Sequence, residues 1–193
     1  MNYDRQILPA NEASLMQQRW PLVMRGLHWL LAALILFMLG LGLYMVQIEQ
    51  EPGRKFELYQ WHKTIGAFVF ALTALRALCR IFTHAPAHPA TMSAFEHHAS
   101  RIAHVLIYGL SFAMGVTGYV MISSSPLPLP IELFDGVHVP NLVAPDYALS
   151  EAMKALHHRL AYLFIGLLVV HVLAALKHHF WDRDDILRQM LPF

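Results

Sequence analysis

Two histidines late in the chain, His157 and His171, stand 14 residues apart in a largely apolar run. On an α-helix that spacing is within about 40° of four whole turns, so both imidazoles share one face, about 21 Å apart along the axis. Each then needs a partner at its own depth. His28 sits near the start of another apolar run and His62 just before a third. If successive runs cross in alternating directions, His28 lies level with His171 and His62 level with His157. Two facing imidazoles are too few for a structural zinc site, which takes four nitrogen or sulfur ligands. They suffice to hold a haem iron from both sides, the porphyrin supplying the other four nitrogens. Hydrogen bonding across packed helices is the alternative use of such residues.

The elements that must position these rings are apolar helices. Hydrophobic residues make up 56% of the 193 positions and charged residues 14%, against about 25% charged in an ordinary soluble domain. Gly26 to Val46 runs 21 positions without Asp, Glu, Lys or Arg, enough to cross a hydrocarbon core of about 30 Å. Thr64 to Phe82, Ile102 to Ile122 and Leu160 to Leu176 give three more spans, the first of them carrying Arg76 and Arg80 at one end, where both can snorkel. A cleaved secretory signal is the competing reading of the first span, but its apolar run exceeds the roughly 7 to 15 residues of such a signal. The expected architecture is all-α: one membrane domain over residues 1–193, a four-helix bundle with two haems between the helices. Its spans cover about 24–46, 62–82, 101–122 and 157–179, after a tail over 1–21 and with a loop over 123–156. Cofactors held between facing helices suit such a bundle.

Charge sets the expected direction. With the N-terminus in the cytoplasm, the inner side holds Arg5, Arg19, Arg25, Arg76, Arg80, Arg101, Lys177, Arg183 and Arg188. The outer side holds Arg54, Lys55, Lys63, Lys154 and Arg159. This distribution favours both termini in the cytoplasm. The connection from Ser123 to Leu156 reads as a Pro-rich outer cap with one short helix near its end, and Thr83 to Ser100 as an inner segment along the surface. A net charge of +1 gives no field to hold nucleic acid, and the single Cys79 excludes a disulfide framework, a thiolate zinc cage and an iron–sulfur cluster.

Four segments together resemble the bacterial dihaem cytochrome b561 family, in its superoxide:ubiquinone oxidoreductase (superoxide oxidase) branch. They are RGLHWLL opening the first span, WHKTIG opening the second, RIAHVLIYGLSFAMGVTGY in the third, and ALHHRLAYLFIGLLVVHVLAALKHHFWDRDD over the fourth. The likeness runs from Leu22 to Leu191. It implies four transmembrane helices with two non-covalent b haems, axial ligands His28 and His171 for the inner haem and His62 and His157 for the outer one, and residence in the bacterial inner membrane. It also implies oxidation of superoxide at the periplasmic face coupled to reduction of ubiquinone. His178, two further turns beyond His171, matches a position at which the resemblance implies a quinone contact; solvation by headgroups is its other use.

The remaining polar residues divide similarly. Arg76, 14 residues after His62, falls at the depth of the inner site, where a guanidinium can pair with a haem propionate or snorkel. Lys63 and Arg159, with Lys154, can neutralise outer propionates, draw in a small anion such as superoxide, or anchor at the interface. The acidic outer residues Glu132, Asp135, Asp146 and Glu151 oppose anion capture unless they fold away. His104 is the rival inner ligand, with a propionate-bonding or structural role as its alternative. His84, His88, His97, His98 and His138 read as loop histidines, His158 points away from the site, and His179 is interfacial. Two other functions compete: an electron-transfer subunit for a docked redox enzyme, and a histidine-based proton or metal transporter. The haem readings expect a red protein, the transporter a colourless one.

Overall fold

The computed structural model describes residues 19–47, 52–87, 89, 92–127, 129–134 and 136–192. Arg5, His88 and Asp135, with most of the tail over 1–21, lie outside the described residues. The chain forms four long helices: α1 (Leu22–Gln47), α2 (Pro52–Ile81), α3 (Ala94–Ser123) and α4 (Tyr147–Lys177). All four are long and apolar enough to cross a membrane. Large apolar side chains such as Leu36, Phe37, Leu78, Val105 and Val170 are exposed. Helices apolar on their outward as well as their inward faces are those of a bundle surrounded by lipid. The protein is a multi-pass, mostly helical membrane bundle.

The helices run past their apolar spans. α2 starts at Pro52, a residue suited to a first helical turn because its missing N–H has no helical partner to lose. Its 30 residues measure about 45 Å, more than the hydrocarbon needs. α3 starts at Ala94 because Ser93 and Glu96 form a capping box: the Ser93 hydroxyl accepts from Glu96 N–H, and the Glu96 carboxylate accepts from Ser93 N–H at 2.9 Å. His97 and His98 therefore sit in the first turns of α3, a correction to their loop assignment. Asp146 caps α4 by accepting from Leu149 N–H at 3.0 Å. The loop after α3 is consequently shorter than the apolar pattern implies.

That loop also contains an antiparallel hairpin, β1 (Ile131–Phe134) and β2 (Val137–Val139), turning at Gly136 with φ 77°. β1 packs against α2, where Thr64 donates to the Glu132 carbonyl. Tyr119 ties the loop to α3, its hydroxyl donating to Pro140 O at 2.8 Å and accepting from Leu142 N–H at 2.9 Å. At the opposite end of the bundle, α4 widens into a π-helical turn (His178–Asp182), stopped by Arg183 in the left-handed region at φ 54°. The chain then crosses under α1: Arg25 donates to Leu191 O at 2.7 Å, Trp29 to Met190 O at 2.8 Å and Trp20 N–H to Gln189 O at 3.2 Å. We call these the hairpin end and the termini end.

The closely packed helix pairs are α1 with α2, α2 with α3, and α3 with α4. Gly115 of α3 lets the Phe70 ring of α2 lie against the backbone, since a Cβ there would overlap that ring. Ser150 of α4 donates to Met121 O of α3 at 2.9 Å, the kind of small polar seam that joins helices in lipid. α4 is not closely packed against α1 or α2, and the functional groups face one another across those two gaps.

Candidate functional site

Helix pitch places His28 on α1 and His171 on α4 at the termini end, and His62 on α2 and His157 on α4 at the hairpin end. The ring centroids of His28 and His171 are 6.4 Å apart, and those of His62 and His157 are also 6.4 Å apart. A metal–imidazole bond of about 2 Å on each side, plus about 1 Å from nitrogen to ring centre, requires about 6 Å between centroids. Both pairs have the separation of two imidazoles on opposite sides of one metal ion. His28 Nδ1 and His62 Nδ1 are buried without a protein hydrogen-bond partner, so neither ring is spent on a hydrogen bond through that nitrogen. The residues present fit a flat metallocofactor held at each level between α4 and a helix it does not closely pack.

At the hairpin end, Thr117 Oγ1 lies 3.0 Å from His157 Nδ1, which leaves Nε2 as the nitrogen free to face His62. Two glycines make room for these rings. A Cβ on Gly118 would meet His157 Cε1 at 3.3 Å, and one on Gly42 would meet His62 Cε1 at 3.4 Å. Gly66, one turn from His62, instead abuts Met38 of α1 and serves the α1–α2 seam. Thr117, Gly42 and Gly118 escape a reading of the sequence because nothing local links them to a histidine on another helix. Lys63 is half-buried beside His62, and Arg159 is exposed. Lys154 pairs with Glu151 at 3.3 Å, while Asp146 is the α4 cap. Two of the acidic residues opposing anion capture are thus already engaged.

At the termini end, Arg76 donates to the Tyr108 hydroxyl at 2.5 Å, and its guanidinium carbon lies 5.5 Å from the Tyr108 ring centroid. Its charge acts on both His28 and His171. Arg76 Nε is buried and has no protein partner, a donor suited to an anionic group of a bound cofactor. His104 approaches His171 at 5.6 Å and 82°, 0.8 Å closer than the rings of either facing pair, and its Nδ1 lies 2.7 Å from Ser100 O.

Beyond His171, His178 is buried in the π turn, 8% exposed. Its Nδ1 lies 2.7 Å from Asp184 Oδ2 and 3.1 Å from Asp182 Oδ2. His179 lines a shallow cleft beside it.

Residues 19–193 match the family described as prokaryotic cytochrome b561. Cytochrome b561 homolog 2 of Escherichia coli (strain K12) is 34% identical over 174 residues, covering 90% of this chain and 92% of that protein. Probable superoxide oxidase CybB of Yersinia pestis is 22% identical over 182 residues, covering 92% of this chain and 98% of that one. Cytochrome b561 homolog 1 of Escherichia coli (strain K12) is 25% identical over 131 residues, 68% of this chain and 73% of that protein.

Proposed function

Because the chain belongs to the prokaryotic cytochrome b561 family of haem b membrane electron-transfer proteins, we propose that it oxidises superoxide at one membrane face and reduces ubiquinone near the other. In this reading His62 and His157 are axial ligands of one haem b, and His28 and His171 of a second. The observation that carries it is the pair of 6.4 Å ring separations at two depths. Haem held by these histidines would supply one-electron chemistry, and holding it from both sides would favour electron transfer over oxygen activation.

The protein's own residues set the direction and the environment. Thr117 orients His157, and Arg76 with Tyr108 holds positive charge beside the termini-end pair. Lys63 and Arg159 at the hairpin end attract a small anion and balance propionates there. His178 at the termini end donates a hydrogen bond to a quinone carbonyl. The excess of Lys and Arg toward the termini end supports a bacterial inner-membrane protein with both termini in the cytoplasm. The superoxide reading draws on the Yersinia pestis relative's name.

A second reading, a haem subunit that docks a separate redox enzyme, is favoured by Leu127 and Leu142, which stand 82% and 79% exposed on the loop after α3. Stopped-flow mixing tests the first reading. Superoxide should reduce the purified dihaem protein, and a ubiquinone analogue should then reoxidise it. Absence of the first step together with copurification of a soluble enzyme would favour the second.

A further inference from the structure

The π turn and the reversal at Arg183 assemble a group of charges that electron transfer alone does not require. His178 Nδ1 faces two carboxylates, and the two are engaged differently. Asp182 Oδ2 is held by Lys177 Nζ at 2.7 Å, and Lys177 also binds Glu96 of α3 at 2.7 Å. Glu96, His178 and Asp182 bring ligand atoms within 4.8 Å of one another, but the Lys177 ammonium already supplies the cation that such a cluster would bind.

Asp184 is the carboxylate left to exchange protons. Its side chain is 6% exposed, its backbone N–H donates to His178 O at 3.1 Å and its Oδ1 accepts from Ile186 N–H at 3.0 Å. It also lines a cleft of about 350 Å³ whose other walls are His179, Phe180, Arg183 and Arg188. Asp184 thus contacts a buried imidazole through Oδ2, and it is also one of the residues lining a cleft with His179, Arg183 and Arg188. The charged groups around His178 are Lys177, Asp182 and Asp184 of its own segment and, through Lys177, Glu96 of α3.

We propose that Asp184 collects protons from this cleft and passes them through His178 to the quinone. The proposal rests on the quinone reading above. Reduction of a quinone to a quinol takes two electrons and two protons. The electrons come from two superoxide ions, each oxidised to dioxygen. For each proton, the His178 Nε2–H bond breaks as a quinone O–H bond forms. The imidazole recovers a proton at Nδ1 from the Asp184 carboxyl group, which is reprotonated from water in the cleft. Before the second proton passes, the ring turns about Cβ–Cγ, so that the newly protonated nitrogen faces the quinone and the bare one faces Asp184.

The experiment uses the full-length haem-loaded protein in lipid nanodiscs, reduced and then mixed with decyl-ubiquinone. Asp184→Asn should keep its haem content and its decyl-ubiquinone affinity, measured by fluorescence quenching, yet reoxidise about a hundredfold more slowly, the scale of general acid catalysis. Formate, a small acid able to enter the cleft, should restore most of the rate. Asp184→Glu keeps the acid and should stay within about tenfold of the unmutated rate, which preserves the test should the Asn variant lose haem. Unchanged reoxidation in Asp184→Asn, slowing that formate does not relieve, or weakened quinone binding in its place would each overturn the relay. So would an Asp184→Glu protein as slow as the Asn variant. Failure of the unmutated reduced protein to react with decyl-ubiquinone would instead overturn the quinone reading, and the relay with it, before any variant is compared.

Discussion

Thr117 Oγ1 of α3 lies 3.0 Å from Nδ1 of His157 on α4. A hydroxyl on one helix thereby fixes the ring orientation of a histidine on the next. Removing such an outer partner of a metal-binding histidine typically costs 10- to 100-fold in affinity, roughly. Thr117→Val is expected to weaken retention of the hairpin-end haem by about that factor while leaving the other haem in place. Haem content after dilution and repurification, followed with the reduced spectrum, measures this.

The two ring pairs set a stoichiometry and a pairing. A pyridine haemochrome assay should give two haems per chain, both extractable with acid acetone, because one cysteine cannot form a CxxCH attachment. His62→Ala and His157→Ala should remove the same haem, and His28→Ala and His171→Ala the other. His104→Ala should keep both. Loss of the termini-end haem in His104→Ala with its retention in His28→Ala would reverse the assignment.

Part of this arrangement is readable without coordinates, because helix rise and twist are nearly invariant. Fourteen residues from His157 to His171 fix a face and a depth, and the charge-free runs fix four membrane helices. The hairpin is not readable in that way. Its strands have 4 and 3 residues, too few to show alternation beside repeated prolines. Asp184 is hidden for another reason: its approach to His178 depends on the left-handed Arg183 that turns the chain back, and an arginine gives no local signal for that conformation.

Arg76 tests the electrostatics of the termini end. Its charge favours the more negative, reduced state of any redox centre beside it. Arg76→Gln should lower the midpoint potential of the termini-end haem by about 1 kcal/mol, or about 40 mV, the scale of a unit charge acting through a partly screened interior. A redox titration followed optically resolves the shift, and the hairpin-end potential should move less.

Gly115 tests the packing that holds α2 against α3. Gly115→Ala would drive a Cβ into the Phe70 ring, and overpacking of this kind costs about 1–3 kcal/mol. Thermal unfolding in detergent should show the loss, and combining it with Phe70→Leu should recover part of it. Full additivity of the two substitutions would mean that the ring and the glycine do not interact.

Both ring pairs share one wall, since His157 and His171 stand on the same helix. During synthesis α1, α2 and α3 enter the membrane before α4 exists, so neither pair can form on the partial chain. Neither facing pair is complete in that three-helix intermediate. The two levels therefore become available together, when the fourth helix threads into place. A chain arrested before that step would offer neither level rather than one of the two.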